Sequence, residues 1–269
     1  MEQFWSTVLD FAQTTTHRVG QQLLEDFGQA QADLKADGSL VTASDRWADQ
    51  ALRTAIQAQF PDHGVLSEET VHICPDTDWC WIIDPIDGTT NFTRGIPLWG
   101  ISLGLLYRGV PVFGYVALPP LGQAFHGYWP GASGLTMPRG AFVNGRPMRP
   151  SPAAPGPQQF FSLCARSTSV MGQPFPCKIR MLGAATYNLL LVGAGWAIGA
   201  VEATPKIWDI AAVWAILNAA GATWVALDGS DPFPLTVGQD YSRRAYPTLV
   251  TAQRDWVSLF TPLVAQVGA

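Results

Sequence analysis

Trp81-Ile82-Ile83-Asp84-Pro85-Ile86-Asp87-Gly88-Thr89-Thr90-Asn91-Phe92 is the stretch that decides how this chain is read. An apolar run ends in a carboxylate, and Pro85 keeps Asp84 out of the helical region. Asp84 is therefore expected at a strand end, where the functional groups of α/β sheets collect. Asp87 follows three residues later, close enough that both carboxylates could hold adjacent cations, with the Ile86 carbonyl between them as a further oxygen ligand. Hard divalent cations such as Mg2+ favour such all-oxygen sets. If a helix opens near Thr89, the N–H groups of Gly88, Thr89 and Thr90 face an anion such as phosphate. The same letters also suit a plain Pro-containing turn.

Working outward, residues 2 to 27 place Phe4, Val8, Phe11, Val19, Leu23 and Phe27 at near-helical spacing, which predicts an amphipathic helix stopped at Gly28. Residues 29 to 39 read as a polar loop. Thr42 and Asp45 have capping-box spacing and open a second helix running to about Phe60. A short strand at Val65 and Leu66 reaches the Glu68-Glu69 pair, and residues 78–83 form the strand that delivers the opening motif. Residues 101–107, 112–118 and 123–128 alternate with turn residues as an antiparallel meander. Asn144-Gly145 predicts a hairpin turn. The proline-rich stretch 150–157 predicts a boundary between a lobe of residues 1–149 and a lobe of residues 150–269. Beyond it, strands at 160–164, 197–202 and 223–227 alternate with helices at 184–193 and 209–220. The fold class expected is α+β, with a second sheet covered by helices.

Composition sets limits. With 48% hydrophobic and 14% charged residues, 269 residues can bury an extensive core, and disorder is excluded. A net charge of −5 argues against nucleic acid as a partner. No run approaches about 20 apolar residues and no secretory signal opens the chain, so a membrane partner is not expected and the cytoplasm is. Cys74, Cys80, Cys164 and Cys177 lack zinc-site spacing and are expected as free thiols.

Five further acidic residues join Asp84 and Asp87. Asp209, after Trp208, reads as a helix N-cap whose second oxygen can serve a metal. Asp45 reads as the capping-box acid, Glu68-Glu69 as a turn, and Glu202 as a polar strand end. Each has a bland account alone; together they are a constellation. Their order, with Val41-Thr-Ala-Ser-Asp45, Asp84-Pro-Ile-Asp87-Gly-Thr89 and Trp208-Asp209 across residues 35 to 221, resembles the inositol monophosphatase family of magnesium-dependent, lithium-sensitive phosphatases.

The resemblance implies a layered α/β sandwich with the site between two lobes, and a homodimer. It implies two or three Mg2+ ions, one held by Glu68, Asp84 and the Ile86 carbonyl and another by Asp84, Asp87 and Asp209. It assigns Thr89, hydrogen-bonded to Asp45, and Glu68 to orienting and deprotonating the attacking water. Asp87, Gly88, Thr89, Thr90, Gly183, Ala184, Ala185, Glu202 and Lys206 become the substrate-side positions, and the stretch from Lys35 to Ser39 a flap. The implied substrate is a small phosphorylated polyol, first of all myo-inositol 1-phosphate. Histidinol phosphate is the alternative, because residues 91–99 resemble that branch too. Sugar bisphosphates and 3′-phosphoadenosine 5′-phosphate would need extra basic groups, for which the sequence offers Lys206 and Arg180. The histidines lie outside every motif. A catalytically silent homologue is the reading from outside the enzyme class, and it predicts the loss of a metal carboxylate, Thr89 or Asp45. All are present.

Overall fold

The computed structural model describes residues 2–35, 38, 40–172 and 174–267. The elements in chain order are α1 (Glu2–Asp26), β1 (Ala32–Leu34), β2 (Leu40–Thr42), α2 (Ala43–Gln59), β3 (Gly64–Ser67), β4 (Trp79–Asp87) and α3 (Thr89–Thr93). The meander follows as β5 (Gly100–Tyr107), β6 (Val110–Leu118) and β7 (Gln123–Tyr128), then the hairpin β8 (Gly140–Val143) and β9 (Arg146–Pro147). The remainder is β10 (Phe160–Leu163), β11 (Lys178–Arg180), α4 (Ala185–Gly193), β12 (Gly199–Glu202), α5 (Ile207–Ala220), β13 (Thr223–Ala226), β14 (Thr248–Thr251) and α6 (Val257–Val264).

Strands β3 to β9 form a seven-stranded sheet in sequence order, antiparallel except for the β3–β4 pair. A five-stranded mixed sheet follows in the order β11-β10-β12-β14-β13. Residues 150–157 lie between the two. Helices α1 and α2 cover one face of the larger sheet, and α4 and α5 lie against its other face and the smaller sheet. The layered α+β class expected from the sequence is the one found.

Strand β4 shows why its sequence is apolar without a break. Trp81 and Ile83 feed the core under α1 and α2, while Cys80 and Ile82 feed the core under α5. A strand buried on both faces has no polar side to alternate with. The sequence places the strand end at Asp84, but the strand runs on through Pro85 to Asp87. Asp84 pairs with Ser102 and Asp87 with Gly100, with the register shifting between them. A bulge is where a sheet tolerates proline, which has no N–H to donate.

Helix α5 approaches the sheet over a row of glycines. Gly104 pairs with Gly114 and Gly114 with Gly127 across β5, β6 and β7. A Cβ added at Gly114 would stand 2.0 Å from the Ala212 carbonyl oxygen, so no larger residue fits. This close seat fixes α5 along its length, and with it the acid in its first turn.

Other differences are local. In α1 the buried hydrophobic side chains are Trp5, Val8, Ala12, Val19 and Leu23; Phe4, Phe11 and Phe27 pack at the edge of that core. Gly28, in the left-handed region, ends the helix as expected. The loop expected over residues 29 to 39 instead contains β1, which pairs with β2 as a hairpin. The flap residues Ala36, Asp37 and Ser39 lie outside the described residues. Asn144 and Gly145 both have positive φ, which suits the predicted tight hairpin turn. All four cysteines are free.

Candidate active site

Two elements bring three carboxylates to a common point. Asp84 and Asp87 come from the bulged end of β4, and Asp209 from the first turn of α5. Each offers an oxygen within 4.8 Å of the others. Asp84 is 1% exposed and Asp87 6% exposed. No cationic side chain is paired with these three among the described residues. Burial, reinforced at Asp84 by Glu68, Asp87 and Asp209, holds the Asp84 carboxyl far above the usual range. Asp209 is raised for the same reasons, burial first and then Asp87 and Glu68. Buried like charges without a counter-ion resist ionisation. An all-oxygen, acidic, enclosed donor set of this kind fits a hard divalent cation.

Asp209 is not the N-cap of its helix. The helix opens two residues earlier, at Ile207, and Asp209 Oδ2 accepts from the Lys206 backbone N–H at 2.7 Å. Asp45 does what its spacing predicts: its Oδ2 accepts from the Thr42 N–H at 2.7 Å and the Thr42 hydroxyl at 2.5 Å. Asp45 Oδ1 in turn accepts from Thr89 Oγ1 at 3.2 Å, and the same hydroxyl lies 3.1 Å from the Ile86 carbonyl. Burial raises the Asp45 carboxyl despite its bonds to Thr42.

Asp87 is anchored from α4. Its Oδ1 accepts from the Ala185 N–H at 3.0 Å and its Oδ2 from the Thr186 N–H at 2.8 Å, with the Thr186 hydroxyl also donating to Oδ2. These bonds offset part of the burial that raises it. Nothing in the local sequence signals that a strand acid caps a helix almost 100 residues away.

Glu68 departs from the simple picture. Its side chain is paired with Lys35 at 2.9 Å, and Lys35 also reaches Glu69 at 2.7 Å. Burial, with repulsion from Glu69 and Asp45, lifts Glu68 to about 7 despite the ammonium. Burial opposes the charge on Lys35, but the two glutamates outweigh it and its proton is held more firmly than in water. The sequence offers Lys35 only as part of a flap; the structure makes it a cation inside the acidic cluster.

Of the nine substrate-side positions, Asp87, Gly183, Ala184, Ala185 and Glu202 line one cavity of about 280 Å3, together with Asp209, whereas Gly88, Thr89, Thr90 and Lys206 do not border it. Glu202 is 4% exposed, and its Oε1 accepts from Asn188 Nδ2 at 2.7 Å. Burial, then the nearby Asp87, raises it to about 8 against the opposing bonds from Asn188 and Cys164. Gly88 and Gly183 both have positive φ; a Cβ at Gly183 would stand 2.8 Å from Asn91 Nδ2, and one at Gly88 would be crowded by the Leu98 and Gly183 carbonyls at 3.1 and 3.3 Å. Asn91 ties them by donating to the Leu98 and Leu182 carbonyls, both at 2.7 Å. Thr90 is exposed on α3, which is only five residues long.

An adjoining cavity of about 400 Å3 reaches Glu68 and Asp209 and is lined by Lys206, Arg166, Arg243 and His72. Lys206 is not loose in solvent; its Nζ donates to the Ser242 and Arg243 carbonyls. Arg180 is not at the cleft. Its guanidinium stacks over the Phe160 ring at 4.1 Å. His72, outside every sequence motif, nevertheless borders this cavity, with its Nε2 2.7 Å from the Glu68 carbonyl oxygen.

Known proteins share this architecture. The family model for the inositol monophosphatase family matches residues 5–258. The chain is 31% identical over 239 residues to a fructose-1,6-bisphosphatase/inositol-1-monophosphatase of Aquifex aeolicus, covering 84% of this chain and 87% of that one. It is 30% identical over 224 residues to a histidinol-phosphatase of Chlorobaculum parvum, covering 79% and 83%. The solved structure of a Thermotoga maritima IMPase superposes with a TM-score of 0.77 at 28% identity, over 97% of this chain and 96% of that one. Matched along almost its whole length in sequence and in fold, the chain belongs to the inositol monophosphatase family and is a phosphoric monoester hydrolase.

Proposed function

We propose that the protein hydrolyses the phosphomonoester of a small polyol, with myo-inositol 1-phosphate as the reference substrate, using two or three Mg2+ ions. The observation that carries this reading is the convergence of Asp84, Asp87 and Asp209, three carboxylates from two separate elements with no cationic side chain paired to them among the described residues. These three would hold one ion, and Glu68, Asp84 and the Ile86 carbonyl another. Bound there, divalent ions would polarise the phosphoryl oxygens and acidify a water.

The chain's own groups account for the remaining tasks. Thr89 hydrogen-bonds Asp45 and the Ile86 carbonyl, so its hydroxyl is oriented and keeps lone pairs for a water proton. Glu68, held 2.9 Å from the Lys35 ammonium, is the second group we assign to orienting and deprotonating that water. Asp87 is held still by α4, so its position does not depend on the ligand. Glu202 offers a buried carboxyl to a polyol hydroxyl, which would reject an apolar leaving group.

Phosphate release with Mg2+, with and without EDTA, tests this across inositol 1-phosphate, histidinol phosphate, fructose 1,6-bisphosphate and 3′-phosphoadenosine 5′-phosphate. Release from none of them by folded, magnesium-saturated protein would make it a catalytically silent homologue. The family membership also supports a homodimer, a cytoplasmic location, lobes at 1–149 and 150–269, and inhibition by Li+. Light scattering reads the homodimer, and a flat Li+ titration at saturating substrate would remove lithium from the reading. No helix among the described residues is long and apolar enough to cross a membrane.

A further inference from the structure

Directly opposite Asp84, on the neighbouring strand β5, stands Ser102. The register is unbroken here, with Ile82 opposite Gly104 and Asp84 opposite Ser102. Both side chains project from the face of the sheet that carries α5. Asp84 lies two residues past Ile82, which feeds the core under α5. Ser102 lies two residues before Gly104, where a Cβ would meet Ala211 and Ala212. Opposed residues of an antiparallel pair hold their Cβ atoms about 4.5–5.5 Å apart, so the hydroxyl stands beside the carboxylate that both ions would share.

Ser102 is otherwise out of place. It is 1% exposed, and its Oγ is buried with no hydrogen-bond partner among the described residues. Its other neighbours on that face are apolar or glycine: Gly104 along β5, Val116 opposite on β6, and Ile82 diagonally on β4. A buried hydroxyl that bonds nothing is costly, and an alanine would fill the same place without that cost. Packing alone does not call for serine here; the polar group opposite does. Asp84 Oδ1 accepts from the Ile86 N–H at 3.1 Å, which leaves the carboxylate with lone pairs to spare. A serine hydroxyl turns to whichever acceptor is offered.

We infer that Ser102 is a positioning residue: when magnesium binds, its hydroxyl donates to the Asp84 carboxylate and steadies it as a ligand. The metal-free protein carries that donor unpaired and already in place. Ser102 itself touches no ion. A partner standing one bond behind a ligand orients that ligand and sets the affinity for the metal. This inference rests on the magnesium reading of the site and deepens it.

Calorimetric titration with Mg2+, and thermal melts in EDTA, test it without recourse to turnover. Ser102→Ala should melt level with the wild type in EDTA or above it, by up to roughly 5 °C, because it removes an unpaired buried hydroxyl. The same variant should bind Mg2+ about tenfold more weakly or worse, the scale for losing the partner of a metal ligand. The two effects have opposite signs. A mere packing role cannot produce that, since it would weaken fold and binding together or neither. Ser102→Cys keeps the shape with a poor donor and should show the same loss of affinity, which keeps the test open if the alanine variant does not fold. Wild-type Mg2+ affinity in Ser102→Ala, or in Ser102→Cys where the alanine variant does not fold, overturns the inference and leaves the magnesium reading standing. So does a clear loss of stability for Ser102→Ala in EDTA, which would mean that the hydroxyl is already bonded in the metal-free protein. A wild type that takes up no Mg2+ removes the magnesium reading itself, and the role of Ser102 with it.

Discussion

Replacing Glu202 by glutamine should make the metal-free protein more stable in alkali and leave it nearly unchanged in acid. Glu202 carries a carboxyl raised from 4.5 to about 8, by burial first and by Asp87 next. A folded-state pKa above the unfolded one means that the native structure disfavours the charged form. Stability is therefore intact below about pH 4.5 and drains away as the pH rises to about 8. At about 1.4 kcal/mol per unit, the full shift corresponds to about 5 kcal/mol, and relaxation of the site brings the expected difference to about 2–5 kcal/mol. The introduced amide would keep the bond from Asn188, whose own amide is fixed because its Oδ1 accepts from Ser162 Oγ and the Leu182 N–H. For a chain of this size each kcal/mol moves Tm by about 2–4 °C. Thermal unfolding in EDTA should show the variant melting roughly 5–15 °C above the wild type at pH 8, and level with it at pH 4.5. Magnesium should shrink the gap by masking Asp87. In turnover, Glu202→Gln should lower kcat/KM for inositol 1-phosphate more than for an aryl phosphate, which has no hydroxyl to present. Equal Tm differences at both pH values would refute the burial argument, and equal losses on both esters would make Glu202 purely structural.

Other changes separate fold from chemistry. Asp87→Asn should abolish turnover, by roughly a thousandfold or more if an ion is lost. It should also cost about 1.5–3 kcal/mol in a thermal melt, since its amide nitrogen would face the N–H of either Ala185 or Thr186, which bond different oxygens of Asp87; a fully stable variant would mean those bonds are idle. Thr89→Val should lower kcat by roughly 10^2 to 10^4 while KM holds, the range for losing a proton-handling group. A KM effect alone would place Thr89 with substrate instead. Gly114→Ala should destabilise by about 3 kcal/mol or more, because the new methyl meets the Ala212 carbonyl and α5 must lift. The magnesium concentration for half-maximal activity should rise with it, as Asp209 rides on α5; unchanged half-saturation would mean the helix pivots elsewhere.

What can be read from the sequence is what is local and periodic. The apolar run before Asp84, the meander and the Thr42–Asp45 box are short-range patterns with direct physical causes, and the structure places them where those patterns put them. Strand β1 escapes because its three residues, all exposed, are too few for a periodic pattern to show. The run-on of β4 through Pro85 escapes because proline ordinarily ends such a strand, and only the bulge removes the penalty. The hold of Ala185 and Thr186 on Asp87, the insertion of Lys35 between two glutamates, and the gathering of Arg166, Lys206 and Arg243 join residues from 33 to 99 positions apart or from separate loops. No window along the chain contains both partners, so only the fold displays them.

The acids also show why bland and functional readings of one residue need not compete. Asp45 and Asp209 occupy the same place in their helices, the third position, and each turns one oxygen back to the backbone N–H that opens the helix. That bond satisfies a donor every helix leaves orphaned, and losing such a cap costs about 0.5–2 kcal/mol. The capping bond leaves the carboxylate's other oxygen available: in Asp45 it accepts from the Thr89 hydroxyl, and the Asp209 carboxylate lies within 4.8 Å of Asp84 and Asp87. A side chain fixed in this way has already lost its rotamer freedom on folding, so a ligand need not order it. The capping rule that makes these residues unremarkable in sequence is thus what holds them steady enough for the chemistry.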